Sequence, residues 1–339
     1  MSPSQKLYVP DHWKRWIAEN VLRGGTANDL APILVRDGFS EDLARLEIDA
    51  AISHPYLAAA GSIARQKEKC DWVLNSLRRL QAMNHDSEVD RRETISSQEF
   101  FAQYYCLNLP LVLTGEVSDW PALDRWRKDY LVEKVGTEVI QIQANRNADP
   151  QYEVRSQSHR RSILFSEFAE IVFSGTETND VYMTANNAGV NSAILHTLRA
   201  DLGSLPHLLD EDLADSQTFF WMGPAGTVTP LHHDLTNNLM IQMRGRKRVL
   251  LVAPEYLPLI YNHFHCYSMV DLEAIDLERF PLLRDVRMLQ VVLNPGEILF
   301  LPVGWWHHVR GLEPTITITC TNFCFPNTFH DNYRTYAEI

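Results

Sequence analysis

From about residue 98 onward the chain is written in short apolar runs closed by turn residues, and this texture narrows its fold more than any other feature. The runs are "LPLVLTG" (109–115), "EVIQIQA" (138–144), "DVYMTA" (180–185), "TFFWMG" (218–223), "NNLMIQM" (237–243), "KRVLLVA" (247–253), "MLQVVL" (288–293), "EILFLP" (297–302) and "TITITCTNF" (315–323). Each is rich in β-branched or aromatic residues and bounded by Gly, Pro, Asn or Asp, so each reads as a strand. The turns are short, which favours antiparallel pairing. That many short antiparallel strands predict a double-stranded β-helix, the barrel of jelly-roll or cupin kind. Helical segments such as "FSEFAEIVFSG" (165–175) lie between the earlier strands.

The residues before this region carry a helical period instead. Trp13, Trp16, Ile17 and Val21 form one stripe, Gly24 and Gly25 stop that helix, and Thr26 or Asn28 caps the next. "DGFS" (37–40) and "SHP" (53–55) punctuate further helices, and a longer one sets Cys70, Val73, Leu74, Leu77 and Leu80 on one face. "NHDSEVDRRETISS" (84–97) is polar and reads as a linker. The expected layout is α+β, with a helical domain over 1–95 and a β domain over 96–339. The tryptophan stripe suits a core or an oligomer interface, and the helices a homodimer contact or substrate docking.

A net charge of −12 argues against nucleic acid as the main partner, because phosphate binding needs a basic surface. No apolar run approaches a membrane span, and "MSPSQKLYVPDHWKRW" lacks a signal peptide's apolar stretch. The 5 cysteines form no CxxC pair, which argues against a disulfide framework or structural zinc and suits the cytoplasm.

Two histidine doublets carry the chemistry, "TPLHHDLTNN" (229–238) and "PVGWWHHV" (302–309). Side chains two apart on a strand project from the same face. His232 therefore shares a face with Asp234, while His233 sits between Leu231 and Leu235. In the second doublet Arg310 shares a face with Trp306 and His308 and suits solvent, so His307 points into the barrel. His232, Asp234 and His307 make the two-histidine, one-carboxylate set used by non-haem Fe(II) oxygenases, although imidazole also accepts zinc. "NHFHCYS" (262–268) offers His263 and His265 as another pair, but without an acidic or thiol partner it reads as a polar loop.

"TPLHHDLTNNLMIQMRGRKRVLLVAP", "LNPGEILFLPVGWWHHVRGL" and, upstream, "LPLVLTGEVSDWPALDRW" resemble the JmjC-type, cupin-like 2-oxoglutarate oxygenases, in character nearest the asparaginyl hydroxylase of hypoxia-inducible factor and its bacterial relatives. The likeness covers roughly 98–325 and implies that His232, Asp234 and His307 hold Fe(II). It also implies that Lys247 pairs with the distal carboxylate of 2-oxoglutarate and that Thr229 and Tyr182 hydrogen-bond it. Asn238 and Asn322 match amides near the chelating end. Burying a dianion demands a cation and fixed donors, and alternation through "GRKR" turns Lys247 inward and Arg246 and Arg248 outward. The implied reaction consumes O2 and 2-oxoglutarate, releases succinate and CO2, and hydroxylates an unactivated C–H, most simply on a peptide or protein side chain. N-demethylation or RNA modification with the same cofactors, or a cupin-fold binding protein without catalysis, are the alternatives. Glu297 and Cys324 depart from the family pattern, the latter beside the substrate pocket.

Overall fold

The computed structural model describes residues 6–83, 88–331 and 333–334. It divides into two compact units, Met1–Asn84 and His85–Ile339.

The first unit is helical: α1 (Asp11–Leu22), α2 (Ala27–Arg36), α3 (Glu41–Ser53) and α4 (Pro55–Met83). Thr26 caps α2 in a reciprocal box with Asp29, whose carboxylate accepts the Thr26 backbone N–H at 2.9 Å. Ser40 caps α3 by accepting from Leu43 N at 3.2 Å. Ile17, Leu30, Leu34, Phe39, Ala44 and Ile48 form the core, with Trp13 and Trp16 packed against it edge to face. Of the stripe, Ile17 is core, and Trp13, Trp16 and Val21 are half-buried against it. Helix α4 forms as its period predicts but buries none of its residues, and Trp72, Leu77 and Leu80 remain exposed.

The second unit carries the strands β1 (Asp90–Arg92), β2 (Leu111–Leu113), β3 (Val139–Gln143), β4 (Arg160–Leu164), β5 (Thr218–Gly223), β6 (Val228–His233) and β7 (Asn238–Arg244). β8 (Lys247–Val252), β9 (Asn262–Phe264), β10 (Tyr267–Ser268), β11 (Leu289–Leu293), β12 (Ile298–Leu301), β13 (Trp306–Gly311) and β14 (Thr315–Cys320) follow. Two six-stranded sheets result, ordered β1-β2-β12-β7-β14-β5 and β11-β8-β13-β6-β10-β9, while β3 pairs with β4 alone. The outward side chains of the first sheet, among them Leu239, Ile241, Phe300, Ile316 and Ile318, share a core with Phe165, Phe168 and Val172 of the helix Phe165–Val172. Its other face contributes Val112, Met240, Leu299 and Leu301 to a core with Val249, Leu251 and Val309 of the second sheet.

Three expectations change here. The polar 84–97 stretch is not only a linker: β1 lies within it, pairs in parallel with β2, and is tied by Arg91 to Glu297. "DVYMTA" makes only isolated bridges, Gln143 with Tyr182 and Met183 with Met222, because the chain leaves the sheet edge at Ala185 to start a helical turn. The Arg310 face is not open to solvent. Trp306 and His308 are buried, and Trp306 shares a core with Tyr256, Ile260, Val270, Leu272 and Phe280. The two arginines on that face, Arg248 and Arg310, are both bound by Glu273.

Among the described residues no helix is long and apolar enough to cross a membrane. One buried carboxylate organises the helical cover of the first sheet. Asp201 accepts from Arg125 Nη1 at 2.8 Å, Trp126 Nε1 at 3.0 Å and Tyr130 OH at 2.7 Å. Burial alone would raise its pKa, but these donors outweigh burial and hold the carboxyl below its ordinary value. Its contribution is therefore complete above the unfolded pKa and is lost as pH falls through the lower folded one. Replacing Asp201 by Ala is expected to cost roughly 3 kcal/mol, read from chemical denaturation at neutral pH, with the difference from wild type shrinking in acid.

Candidate metal and cosubstrate site

Strands β6 and β13 are antiparallel neighbours whose register sets His232 directly opposite His307. The rings lie 4.0 Å apart between centroids. Asp234 follows at the end of β6, with Oδ1 3.8 Å from His232 Nε2. One ligand atom from each of His232, Asp234 and His307 falls within 4.8 Å of the others.

Both imidazoles are held by the same device. His232 Nδ1 bonds the Pro230 carbonyl at 2.8 Å, and His307 Nδ1 bonds the Trp305 carbonyl at 3.0 Å. A carbonyl can only accept, so each Nδ1 carries the proton and each Nε2 lone pair is free for a metal. Burial lowers both histidine pKa values, that of His232 to about 4, so both are neutral ligands at pH 7. Burial alone would raise the Asp234 carboxyl, but His307, His232 and the Asn238 amide outweigh it and keep it ionised. Asn238 Nδ2 donates to Asp234 Oδ2 at 3.3 Å, while the Asn238 Oδ1 is buried without a partner among the described residues.

Backbone contacts fix the turn that carries Asp234. Gly304 N donates to the Asp234 carbonyl at 3.1 Å, and Val303 N donates to Asn237 Oδ1 at 2.8 Å. His233 points away from the cluster and meets Trp306 edge to face at 4.8 Å. His308 lies 3.8 Å from Asp271 instead.

Beside the cluster lies a second polar group. Lys247 is 2% exposed, and its Nζ donates to Tyr182 OH at 3.1 Å. Thr229 is in polar contact with the same phenol. A tight turn aims the lysine: Gly245 adopts φ +65, and a Cβ there would sit 2.2 Å from the Pro314 carbonyl, so only glycine fits. Gly223 gives Tyr182 its space, since a Cβ there would fall 2.6 Å from the ring. Among the described residues no carboxylate pairs with Lys247, and burial lowers its pKa to about 7. Burial pushes the Tyr182 phenol up, so it keeps its proton and can donate.

Tyr182, Thr229 and Lys247 are brought together, and Asn238 touches the Asp234 carboxylate; Asn322 is not brought in. It continues the outward alternation of Ile318 and Cys320. Its Nδ2 donates to the Asp210 carbonyl at 2.8 Å, and it lines a separate cavity of about 360 Å³ with Trp120, Leu205 and Leu209. "NHFHCYS" is a hairpin, not a loop: β10 pairs with β6 at Tyr267 and His232, and the Tyr267 ring stacks on the His232 ring at 5.7 Å. Sequence reasoning also missed Arg146, Tyr152 and Glu153 in the 145–162 segment, where only the unusual density of charge and aromatics beside β3 was available as a signal.

A search against family profiles matches the cupin-like domain over residues 97–331. The chain is 27% identical to the Drosophila melanogaster Jumonji C domain-containing protein 5 over 83% of its own length and 70% of that protein. It is 28% identical to the Arabidopsis thaliana lysine-specific demethylase JMJ30 over 68% of its length and only 54% of that protein. With the Gallus gallus tRNA wybutosine-synthesizing protein 5 it shares 24% identity, over 74% of this chain and 82% of the other.

His232→Ala and His307→Ala are expected to remove stoichiometric metal, measured by elemental analysis after reconstitution, whereas His233→Ala and His308→Ala retain it. The unpaired Lys247 sets a pH dependence. Below about 7 it is charged and ready to pair; above that, a dianion binds only with uptake of a proton. Affinity for 2-oxoglutarate is therefore expected to fall about tenfold per pH unit above neutrality, with proton uptake seen by calorimetry in buffers of different ionisation enthalpy.

Proposed function

The chain belongs to the cupin-like, JmjC-type family of iron(II)- and 2-oxoglutarate-dependent oxygenases, and on that premise we propose that it hydroxylates an unactivated C–H bond on a peptide or protein side chain. The observation that carries the reading is the adjacency of two groups. A neutral two-histidine, one-carboxylate cluster stands beside a buried lysine that, among the described residues, hydrogen-bonds a tyrosine hydroxyl and no carboxylate.

These residues fit the cofactors by their own chemistry. Two imidazole nitrogens and a carboxylate oxygen suit Fe(II), with no thiolate in the set to draw a softer ion. Lys247, Tyr182 and Thr229 offer an ammonium and two hydroxyls to a carboxylate, and the orphaned Asn238 Oδ1 is one more polar atom at the cluster. Iron and 2-oxoglutarate supply the oxidising power: O2 is consumed, the cosubstrate becomes succinate and CO2, and one oxygen atom enters the substrate C–H bond.

The protein's part is orientation. Lys247 neutralises the distal carboxylate, and Tyr182 and Thr229 fix its direction, so the cosubstrate has one orientation relative to His232, Asp234 and His307. The core that includes Leu231, Trp306 and Val309 backs β6 and β13 and leaves His307 buried, while Asp234 keeps an open side by which a substrate can approach. The acidic net charge favours a peptide over RNA as substrate.

A demethylase outcome uses the same residues, because hydroxylation of an N-methyl group is followed by loss of formaldehyde. The Arabidopsis relative's designation as a lysine-specific demethylase favours testing it. Purified protein should convert 2-oxoglutarate to succinate only with Fe(II) present. Cellular peptides incubated with it should gain 16 mass units on a side-chain carbon, counted as a single oxygen atom. Loss of a methyl group would assign the demethylase outcome instead, and modified RNA with unchanged peptides would overturn the peptide reading.

A further inference from the structure

Beneath Tyr182 lies an arginine that the chemistry above does not use. Arg146 has a side-chain exposure of 0%. Its guanidinium is 4.2 Å from the ring centroid of Tyr152 and 5.1 Å from that of Tyr182. One nitrogen, Nη2, donates to Glu153 Oε1 at 2.9 Å and to the Val228 carbonyl at 2.7 Å. The Tyr152 hydroxyl donates to that same carbonyl at 3.1 Å. The other nitrogens, Nε and Nη1, are buried and have no partner among the described residues.

Burying a guanidinium is costly, and a chain that only needed a filled space there would be served by an apolar side chain. Nor is Arg146 placed to satisfy a broad hydrogen-bond network, since a single nitrogen makes both of its bonds. Its contacts converge on the two places that supply hydroxyls to the lysine pocket. Val228 immediately precedes Thr229, and Tyr182 is the phenol bound to Lys247. Lys247 Nζ is also 5.7 Å from the Tyr182 centroid, so two cations attend one ring. The guanidinium works against burial at the phenol, lowering its pKa where burial raises it, and this strengthens Tyr182 as a donor. With Lys247 protonated, the group of Lys247, Arg146 and Glu153 carries two positive charges and one negative. The net single positive charge matches one carboxylate.

We propose that Arg146, neutralised by Glu153, is a positioning residue for 2-oxoglutarate, fixing the Tyr182 ring and the β6 backbone at Thr229 so that both hydroxyls meet the distal carboxylate. The proposal rests on the cosubstrate reading above and adds to it a residue that touches neither metal nor cosubstrate. It differs from a purely structural role in one respect. Removing the ion pair as a pair leaves neither of its charges buried without the other, while Gln143 keeps Thr184 and the Val228 carbonyl keeps the Tyr152 hydroxyl, yet Tyr182 and Thr229 lose their anchor.

The test uses the full chain loaded with Mn(II) in place of iron, with calorimetry reading 2-oxoglutarate binding and metal binding separately. In Arg146→Met/Glu153→Met, 2-oxoglutarate is expected to bind at least about tenfold more weakly, while metal affinity stays within about twofold of wild type. In turnover with Fe(II), KM for 2-oxoglutarate should rise while kcat changes little. Arg146→Lys keeps the charge but loses the planar fork and the stacking, and a several-fold weakening is expected there too. It serves as the decisive variant if the double substitution fails to fold. Wild-type affinity in a folded double variant, or in Arg146→Lys, overturns the proposal. A wild-type protein that binds no 2-oxoglutarate overturns the cosubstrate reading itself, and that outcome is distinct.

Discussion

The pairing of β6 with β13 is the constraint on which the rest of the site depends. Their register sets His232 against His307, and a slip of one residue would turn both imidazoles to the opposite face and present His233 and Trp306 instead. That register is held on both flanks, by β8 beside β13 and by β10 beside β6. It is also held from behind, where Glu273 bridges Arg248 on β8 and Arg310 on β13. The two candidate histidine ligands sit on the central strands of the sheet, where a strand has least freedom to shift, with Asp234 just past the end of β6.

The lysine pocket inherits its geometry from the same sheet. Lys247 starts β8, and its inward direction follows from the tight turn at Gly245 and from the alternation that sends Arg246 out to Glu313 and Arg248 to Glu273. Tyr182 comes from outside the six-stranded sheets, on a segment whose strand pairing is limited to isolated bridges, Tyr182 with Gln143 and Met183 with Met222. Its backbone is paired with Gln143 in both directions, at 2.8 and 3.0 Å, while its side chain meets Lys247 and the Arg146 guanidinium.

Much of this was legible in the sequence, for identifiable reasons. Strand alternation separates His232 from His233 and Lys247 from its flanking arginines, because a period of two leaves no intermediate answer. The same rule misled where a face was equated with solvent: Arg310 reaches the surface, but Trp306 and His308 on its face are covered by residues 253–285, whose fold no local pattern announces. Asn322 failed for a related reason. The parity of "TITITCTNF" already sends it outward with Ile318 and Cys320, away from the inner threonines. Arg146 and Glu153 were illegible because long-range packing, not local period, brings a loop arginine beneath a tyrosine distant in the chain.

The two oxygens of Asp234 are not equivalent. Oδ2 is engaged by the Asn238 amide at 3.3 Å, whereas Oδ1 is the atom nearer His232. A carboxylate with one oxygen already committed tends to offer a metal a single bond rather than a chelating pair. Asn238 would thereby limit the denticity of Asp234 toward a bound metal, and a site that spends one position on its acid would keep the others free for what must arrive from outside.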